Sequence, residues 1–369
     1  MKLRALVLLS LISITVIASS SFISPIAEDK EISDVKVLML ICDGFGWNYF
    51  DAKERLEDWG VSVTTISNSL DTNISSCINK PNNWTIADYL LMDVEDDIVA
   101  QFDILYIPSG AQWQSLISST RVRNFISNAY KNGLIISTLC IGNRVLSEAN
   151  DIVNGTNVAS YPNANTYMFV AGATIRYGVD VVSDNRLITG GTGGGVYTGG
   201  NTEAPTSEVC MTLIKEALGY SYISKATISP SSGESGTNFT LTIEVDDLDE
   251  KFHDLLSVDI NITKVIAKVL TKENRTLIES IELTDDDSDS IYVGSIIGTF
   301  EEEFVIDFEI EDTNSTLEIE RELVSFSVGK EPITTYMSTF TGVYIVLIGM
   351  IGGVSLVVLS IIVVILKKH

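Results

Sequence analysis

The stretch from Ile135 to Asn150 reads IISTLCIGNRVLSEAN. A β-branched apolar run stops at Cys140, turns over Gly142 and resumes at helical spacing with Val145, Leu146 and Ala149. A cysteine on a sharp strand-to-helix turn, with backbone N–H groups behind it, is how a fold presents a nucleophile. The start of a helix favours a thiolate, and nearby donors stabilise negative charge on a substrate. A cysteine hydrolase also needs a base that takes the thiol proton and later protonates the leaving group. No histidine occurs in residues 1–252, and the chain's two are His253 and His369. A Cys-His-acid triad therefore cannot be assembled around Cys140 from this part of the chain.

The elements that must position this turn alternate. VKVLMLIC reads as a buried strand, and Tyr49, Ala52, Leu56 and Trp59 recur at helical spacing up to Gly60. VSVTTIS, FDILYIPSG, a helix around RVRNFISNAYKNG, LIISTLC and a helix over IGNRVLSEAN continue the pattern. VDVVSDNRLITGG reads as a hairpin and TSEVCMTLIKEALG as a closing helix. Strands alternating with helices predict an α/β layer fold with a mostly parallel sheet over residues 35–221, its ligand site at the carboxyl ends of the strands. After Pro230 the grammar changes to NFTLTIEV, KVIAKVLT, LIESIEL, IYVGSIIGTF, EFVIDFEIED and LEIERELVSFSV. Phe304, Ile306, Phe308 and Ile310 share one face, the period of a half-buried strand. Short strands at this spacing predict an immunoglobulin-like β-sandwich over residues 225–330.

The first half resembles the DJ-1/PfpI family, within the class I glutamine amidotransferase-like superfamily of flavodoxin-like sandwiches. The resemblance rests on KVLMLICDGFGWNYFDAKERLEDWG, FDILYIPSGA with its Pro108-Ser109-Gly110, GLIISTLCIGNRVLSEAN, and NVASYPN followed by NRLITGGTGGG. It covers about residues 35–220. It implies that Cys140 is the elbow cysteine, the candidate catalytic residue, with the N–H groups of Gly110 and Ile141 where the family binds an oxyanion. Family members commonly carry His directly after the cysteine, and Ile141 stands there. The family's glutamate after the first strand has its place taken by Asn48 or Tyr49, with Asp43 as the one possible acid close in sequence. Three readings of Cys140 stay open: an inert buried thiol, a disulfide with Cys42, which the family topology brings towards the elbow, or an oxidisable thiol. Of the remaining cysteines, Cys210 reads as core and Cys77 as exposed.

Lys2 and Arg4 before an apolar run predict a signal peptide over residues 1–27. The uncharged run Val343–Leu366 is long enough to span a bilayer and stops at Lys367 and Lys368. The expectation is a type I, single-pass membrane protein with a stalk at 331–342, a cytoplasmic tail at 367–369 and its domains on the extracellular side. Sequons at Asn73, Asn83, Asn154, Asn238, Asn261, Asn274 and Asn314 are glycosylation candidates. A formal charge of −25 excludes a nucleic-acid partner, which needs basic patches. No cofactor or metal is called for. The acidic stretches Asp246–Glu250 and Asp285–Asp289 read as solvated turns, and Gly190–Asn201 matches neither a Walker loop nor a dinucleotide fingerprint. The expected function is binding of a small ligand or an exterior protein partner, with a possible homo-oligomer. The alternative is a cysteine-dependent hydrolase or glyoxalase-like enzyme using Cys140.

Overall fold

The computed structural model describes residues 30–70, 72–77, 83–192, 204–246, 260–299 and 301–329. The expected signal peptide, residues 247–250 of the first acidic stretch, His253, the stalk, the membrane span at 343–366, the tail and all but the first residues of the glycine-rich segment lie outside them. Among the described residues no helix is long and apolar enough to cross a membrane.

In β1 (Lys36–Ile41) every residue after the first is buried, as a parallel strand covered on both faces requires. α1 (Asn48–Asp58) buries Tyr49, Ala52 and Leu56 on one stripe and ends before Gly60 at φ +90°. β2 (Ser62–Ser67) lies parallel to β1. A small hairpin of β3 (Asn73–Ser75) and β4 (Trp84–Ile86) precedes β5 (Tyr89–Leu90), which extends the edge beyond β2. β6 (Ile104–Ile107), the helices α2 (Trp113–Ser118) and α3 (Thr120–Lys131), and β7 (Ile135–Leu139) follow. Then come α4 (Asn143–Leu146), β8 (Asn157–Ala159), α5 (Pro162–Val170) and β9 (Thr174–Arg176). β10 (Val181–Asp184) and β11 (Leu187–Gly190) make the predicted hairpin. Its two turn residues, Asn185 and Arg186, both sit at positive φ, which matches the twist of the flanking strands. α6 (Thr206–Ala217) closes this part.

The later strands are β12 (Ile223–Ser229), β13 (Ser232–Gly233), β14 (Asn238–Val245), β15 (Ile262–Thr271), β16 (Leu277–Leu283), β17 (Ile291–Ile297), β18 (Glu303–Asp312) and β19 (Thr316–Val328). β12-β14-β17 form one sheet and β16-β15-β18-β19 the facing layer. Phe239, Phe304 and Phe326 meet in the core, with ring centroids 4.6 and 5.0 Å apart on either side of Phe326.

Patterning divides the chain into two units, yet the backbone joins them. β10 pairs in parallel with β19, so one sheet runs β16-β15-β18-β19-β10-β11-β7-β6-β1-β2-β5. This changes the reading of β18. Phe304, Ile306, Phe308 and Ile310 do share a buried face, but Asp307 and Glu309 on the opposite face are buried too. Arg176 of the α/β part reaches Glu309, and Arg275, from the turn between β15 and β16, reaches Asp307. At the seam, Lys215 of α6 and Glu318 of β19 form a buried ion pair, with the ammonium 4.2 Å from the Tyr222 ring centroid. The Tyr222 hydroxyl donates to Asp312 at 2.8 Å. Arg321 grips Asp184 through Nε and Nη2 at 2.7 and 2.6 Å.

Two predictions follow from the seam. Glu318→Ala leaves the Lys215 ammonium buried without its partner and should cost roughly 3–5 kcal/mol, read as a lower urea midpoint for a single transition. Burial raises the Glu216 carboxyl from 4.5 to about 7, opposed by the charge of Lys215, while the Ser183 hydroxyl donates to it. The folded state therefore holds a proton that the unfolded chain releases between those values. This contribution is complete below pH 4.5 and is lost as the pH rises through about 7. Glu216→Gln should flatten the fall in urea midpoint between pH 5 and 7.5, and an unchanged slope would show that another group sets it.

Candidate functional site

All five residues of β7 are buried, and the chain leaves it at Cys140 with φ +52°, in the left-handed region that a side chain occupies only under constraint. Asn143 supplies part of that constraint. Its Oδ1 accepts from the Thr138 hydroxyl at 2.6 Å, and its Nδ2 donates to the Gly190 carbonyl at 3.2 Å. Gly142 passes so close to β6 that a Cβ there would stand 2.9 Å from the Ile107 carbonyl oxygen. The turn is thus the elbow expected from sequence, but the helix after it is shorter than predicted. A 3-10 turn over Cys140–Gly142 leads into the four residues of α4, where Ser147 donates to the Arg144 carbonyl at 2.7 Å. That local bond competes with helix continuation. One turn of helix aligns few peptide dipoles, so the field favouring a thiolate is weak.

The loop after β1 meets the loop after β6 backbone to backbone. Gly46 N–H donates to Ser109 O at 2.7 Å, and Gln112 N–H to Gly44 O at 3.0 Å. Gly110 has φ +116°, and a Cβ there would fall 2.3 Å from the Gly46 nitrogen. Here glycine is required for contact as well as for conformation. Asn48 is buried beside this crossing, its Oδ1 accepting from the Ser109 hydroxyl at 3.0 Å while Nδ2 has no hydrogen-bond partner among the described residues. Tyr49 instead belongs to the core, its hydroxyl 2.8 Å from that of Thr65. Of the two, Asn48 is the residue beside Ser109-Gly110.

Asp43 is exposed and already engaged: Oδ1 accepts from Ser75 N–H at 3.0 Å and Oδ2 from the Ser69 hydroxyl at 3.3 Å. It faces the β2–β3 side. Arg144 is likewise occupied. Its guanidinium lies 3.7 Å over the Tyr167 ring and donates to Ser147 and Glu148 at 2.6 Å. With neither charge acting on it, the Cys140 thiol is pushed up to about 12 by burial alone. Burial, then the charge of Asp43, raises Cys42 to about 12 as well.

All four cysteines are free, Cys77 exposed and the others buried, so the bridge considered between Cys42 and Cys140 is not formed. The reason is topological. β6 lies between β1 and β7, and two strand spacings of about 4.8 Å exceed the roughly 7 Å that a disulfide spans between Cα atoms. Cys42 Sγ rests instead against the Gln112 carbonyl at 3.7 Å. Cys210 sits in the core of α6, as its apolar neighbours predict.

Sequence reasoning missed Tyr161. It is 7% exposed, and its phenol is raised by burial and then by the charge of Cys140. The signal was present: Pro162 opens α5, and proline at a first helical position marks the preceding residue as the end of a strand loop. Gly191, the second residue of the glycine-rich segment, lies so close to this loop that a Cβ would stand 2.2 Å from the Ser160 carbonyl oxygen. Elsewhere, Asp285, Asp287 and Asp289 hold carboxylate oxygens within 4.8 Å of one another at the surface. Asn73, Asn154, Asn238, Asn261 and Asn274 are exposed, and Asn83 and Asn314 are partly so.

This arrangement can hold a polar group near the elbow but does not activate the thiol. Treated with iodoacetamide at pH 8, the folded protein should label at Cys77 and stay protected at Cys42, Cys140 and Cys210 until denatured. Fast alkylation of Cys140 near pH 6 would mean that a cation stabilises its thiolate.

The DJ-1/PfpI family model matches residues 35–197. A search of curated proteins finds no match. Among solved structures, a two-domain protein of Anabaena variabilis with DJ-1/ThiJ/PfpI-like and ferritin-like domains is 20% identical, with a TM-score of 0.42 over 50% of this chain and 48% of that one. This chain therefore spans about half the length of that protein. A ThiJ/PfpI domain protein of Brachyspira murdochii is 16% identical, with a TM-score of 0.41 over 49% of this chain and 94% of its own. Drosophila melanogaster DJ-1beta is 20% identical, with a TM-score of 0.41 over 50% and 91%. With its parallel sheet, its elbow at Cys140 and this family match, the region at residues 35–197 is a DJ-1/PfpI domain.

Proposed function

We propose that this chain is a membrane-anchored extracytoplasmic protein whose DJ-1/PfpI domain binds a small ligand or a protein partner without covalent chemistry at Cys140. The observation that carries this reading is the elbow itself: a buried thiol raised to about 12, with Asp43 and Arg144 both committed elsewhere. Asn48, whose buried Nδ2 has no partner among the described residues, is suited to bind a polar ligand but not to accept a proton at neutral pH. The order of the two later sheets, three strands facing four, supports an immunoglobulin-like module. Anchoring is supported by the uncharged run Val343–Leu366 followed by two lysines, and an exterior location by the exposed sequons.

One observation favours the second reading, a cysteine-dependent hydrolase or glyoxalase-like enzyme. Cys140 keeps the strained left-handed conformation of a nucleophile elbow. The two readings separate on one assay. The full chain in detergent, with Cys140→Ala beside it, is offered a panel of peptides, amides and a 2-oxoaldehyde. The expected outcome is no turnover above background in either protein. Turnover that disappears in Cys140→Ala would establish the enzyme instead.

A further inference from the structure

A cleft of about 540 Å³ lies where β8 and β9 of the DJ-1/PfpI domain face β15, β18 and β19. Its lining is densely charged. Arg176, Lys268, Arg275 and Arg321 all reach it, against Asp307 and Glu309 as the lining carboxylates. Asp184 stands behind Arg321 and Glu322 behind Arg275, so four cations meet four carboxylates here, in a chain that overall has 49 acidic and 24 basic residues.

The depth of each charge gives the cleft its character. Glu309 takes both terminal nitrogens of Arg176 at 2.7 Å, and Lys268 Nζ stands 3.5 Å from it. Asp307 is held by Arg275, and Asp184 by Arg321. The side chains of these three carboxylates are only 8%, 10% and 0% exposed, whereas the four cations are 23–31% exposed. These three acids form the floor and the cations stand in front of them, with Glu322, 55% exposed, also held by Arg275. A guanidinium has five N–H donors, and the recorded bonds leave Arg321 Nη1 and Arg176 Nε without a protein partner among the described residues. A closed ion-pair lattice would have no space in front of it. Here Asn185 shares the rim, the Asn157 amide is committed to Asp184 at 2.8 Å, and Leu270 and Ile319 add an apolar wall. A concave site with convergent cations, open guanidinium N–H groups and some apolar surface is the chemistry of small-anion recognition.

We propose that this cleft binds a small organic anion carrying carboxylate or phosphate groups. The site is independent of the elbow. Its walls come from both halves of the chain, so an occupant would bind only the assembled molecule and would raise its apparent stability by mass action. Half-buried charges in place of a fully sealed site also make the binding sensitive to ionic strength.

Calorimetric titration of the full chain in detergent, with citrate and inorganic pyrophosphate as probes and trehalose as the neutral control, tests this. At least one anion should bind saturably and raise the Tm, and the pair distinguishes carboxylate from phosphate recognition. Lys268→Gln removes a charge whose one recorded contact is long, so its unliganded Tm should be unchanged while affinity falls tenfold or more. Asn185→Asp, which adds a negative charge at the rim without touching an ion pair, should weaken binding as well. Absence of saturable binding by both anions would overturn the proposal. So would equal binding of trehalose, or affinity unchanged in both variants.

Discussion

Four residues of β10, Val181 to Asp184, hydrogen-bond in parallel with Thr316 to Ile319 of β19, and the architecture depends on that short ladder. Without it, the DJ-1/PfpI sheet would end in an unpaired strand, and the sandwich would present a bare β19. With it, charged residues near the edge become interior. Asp184, Glu318 and Lys215 are almost fully buried, and each has an opposite charge to meet: Arg321 for Asp184, Lys215 for Glu318. Buried pairs of this kind add little net stability compared with apolar packing, but a mismatched register would strand a charge in a low-dielectric seam. They specify the seam more than they strengthen it.

The elbow is governed by a second constraint, the closeness of the loops around it. Gly46 against Ser109, Gly110 against Gly46, Gly142 against Ile107 and Gly191 against Ser160 are backbone contacts with no room for a side chain. Together they hold Cys140 in its left-handed conformation and seal it from water. Sealing and activation work against each other here. A thiol buried in this way needs a nearby cation or base to become a nucleophile, and Asn48 beside Ser109, Tyr161 ahead of α5 and Ile141 next in the chain supply neither. Asn48 and Tyr161 carry polar groups without supplying a base near neutral pH, and Ile141 is apolar.

Much of this was legible in the sequence because it is local. Period-two and period-3.6 patterns mark the strands and helices one by one, and the arrest of an apolar run at Cys140-Ile141-Gly142 marks the elbow. The seam was not legible, since nothing in VVSD or TLEI states that the two segments, more than 130 residues apart, lie side by side. The same distance hid the meaning of Glu309, which alternates with apolar residues as solvent-facing positions do and is buried against Arg176 from the other part of the chain. At the elbow, residue types were readable but directions were not. Arg144 is near Cys140 in sequence and is turned to Tyr167 and Glu148, and Asp43, in the loop after β1, is turned to Ser69 and Ser75, while Tyr161, twenty-one residues on, is raised in part by Cys140.

The β10–β19 ladder also imposes an order of events on the nascent chain. β10 emerges from the ribosome about 130 residues before its neighbour, which at roughly 5–20 residues per second is a delay on the order of ten seconds. Throughout that interval the DJ-1/PfpI sheet has an open edge, the kind of surface that captures strands from other molecules. Asp184 at the end of that strand, and Lys215 on the helix beside it, are then solvated charges that discourage such capture. The residues that later become buried partners in the seam thus serve first as its guards.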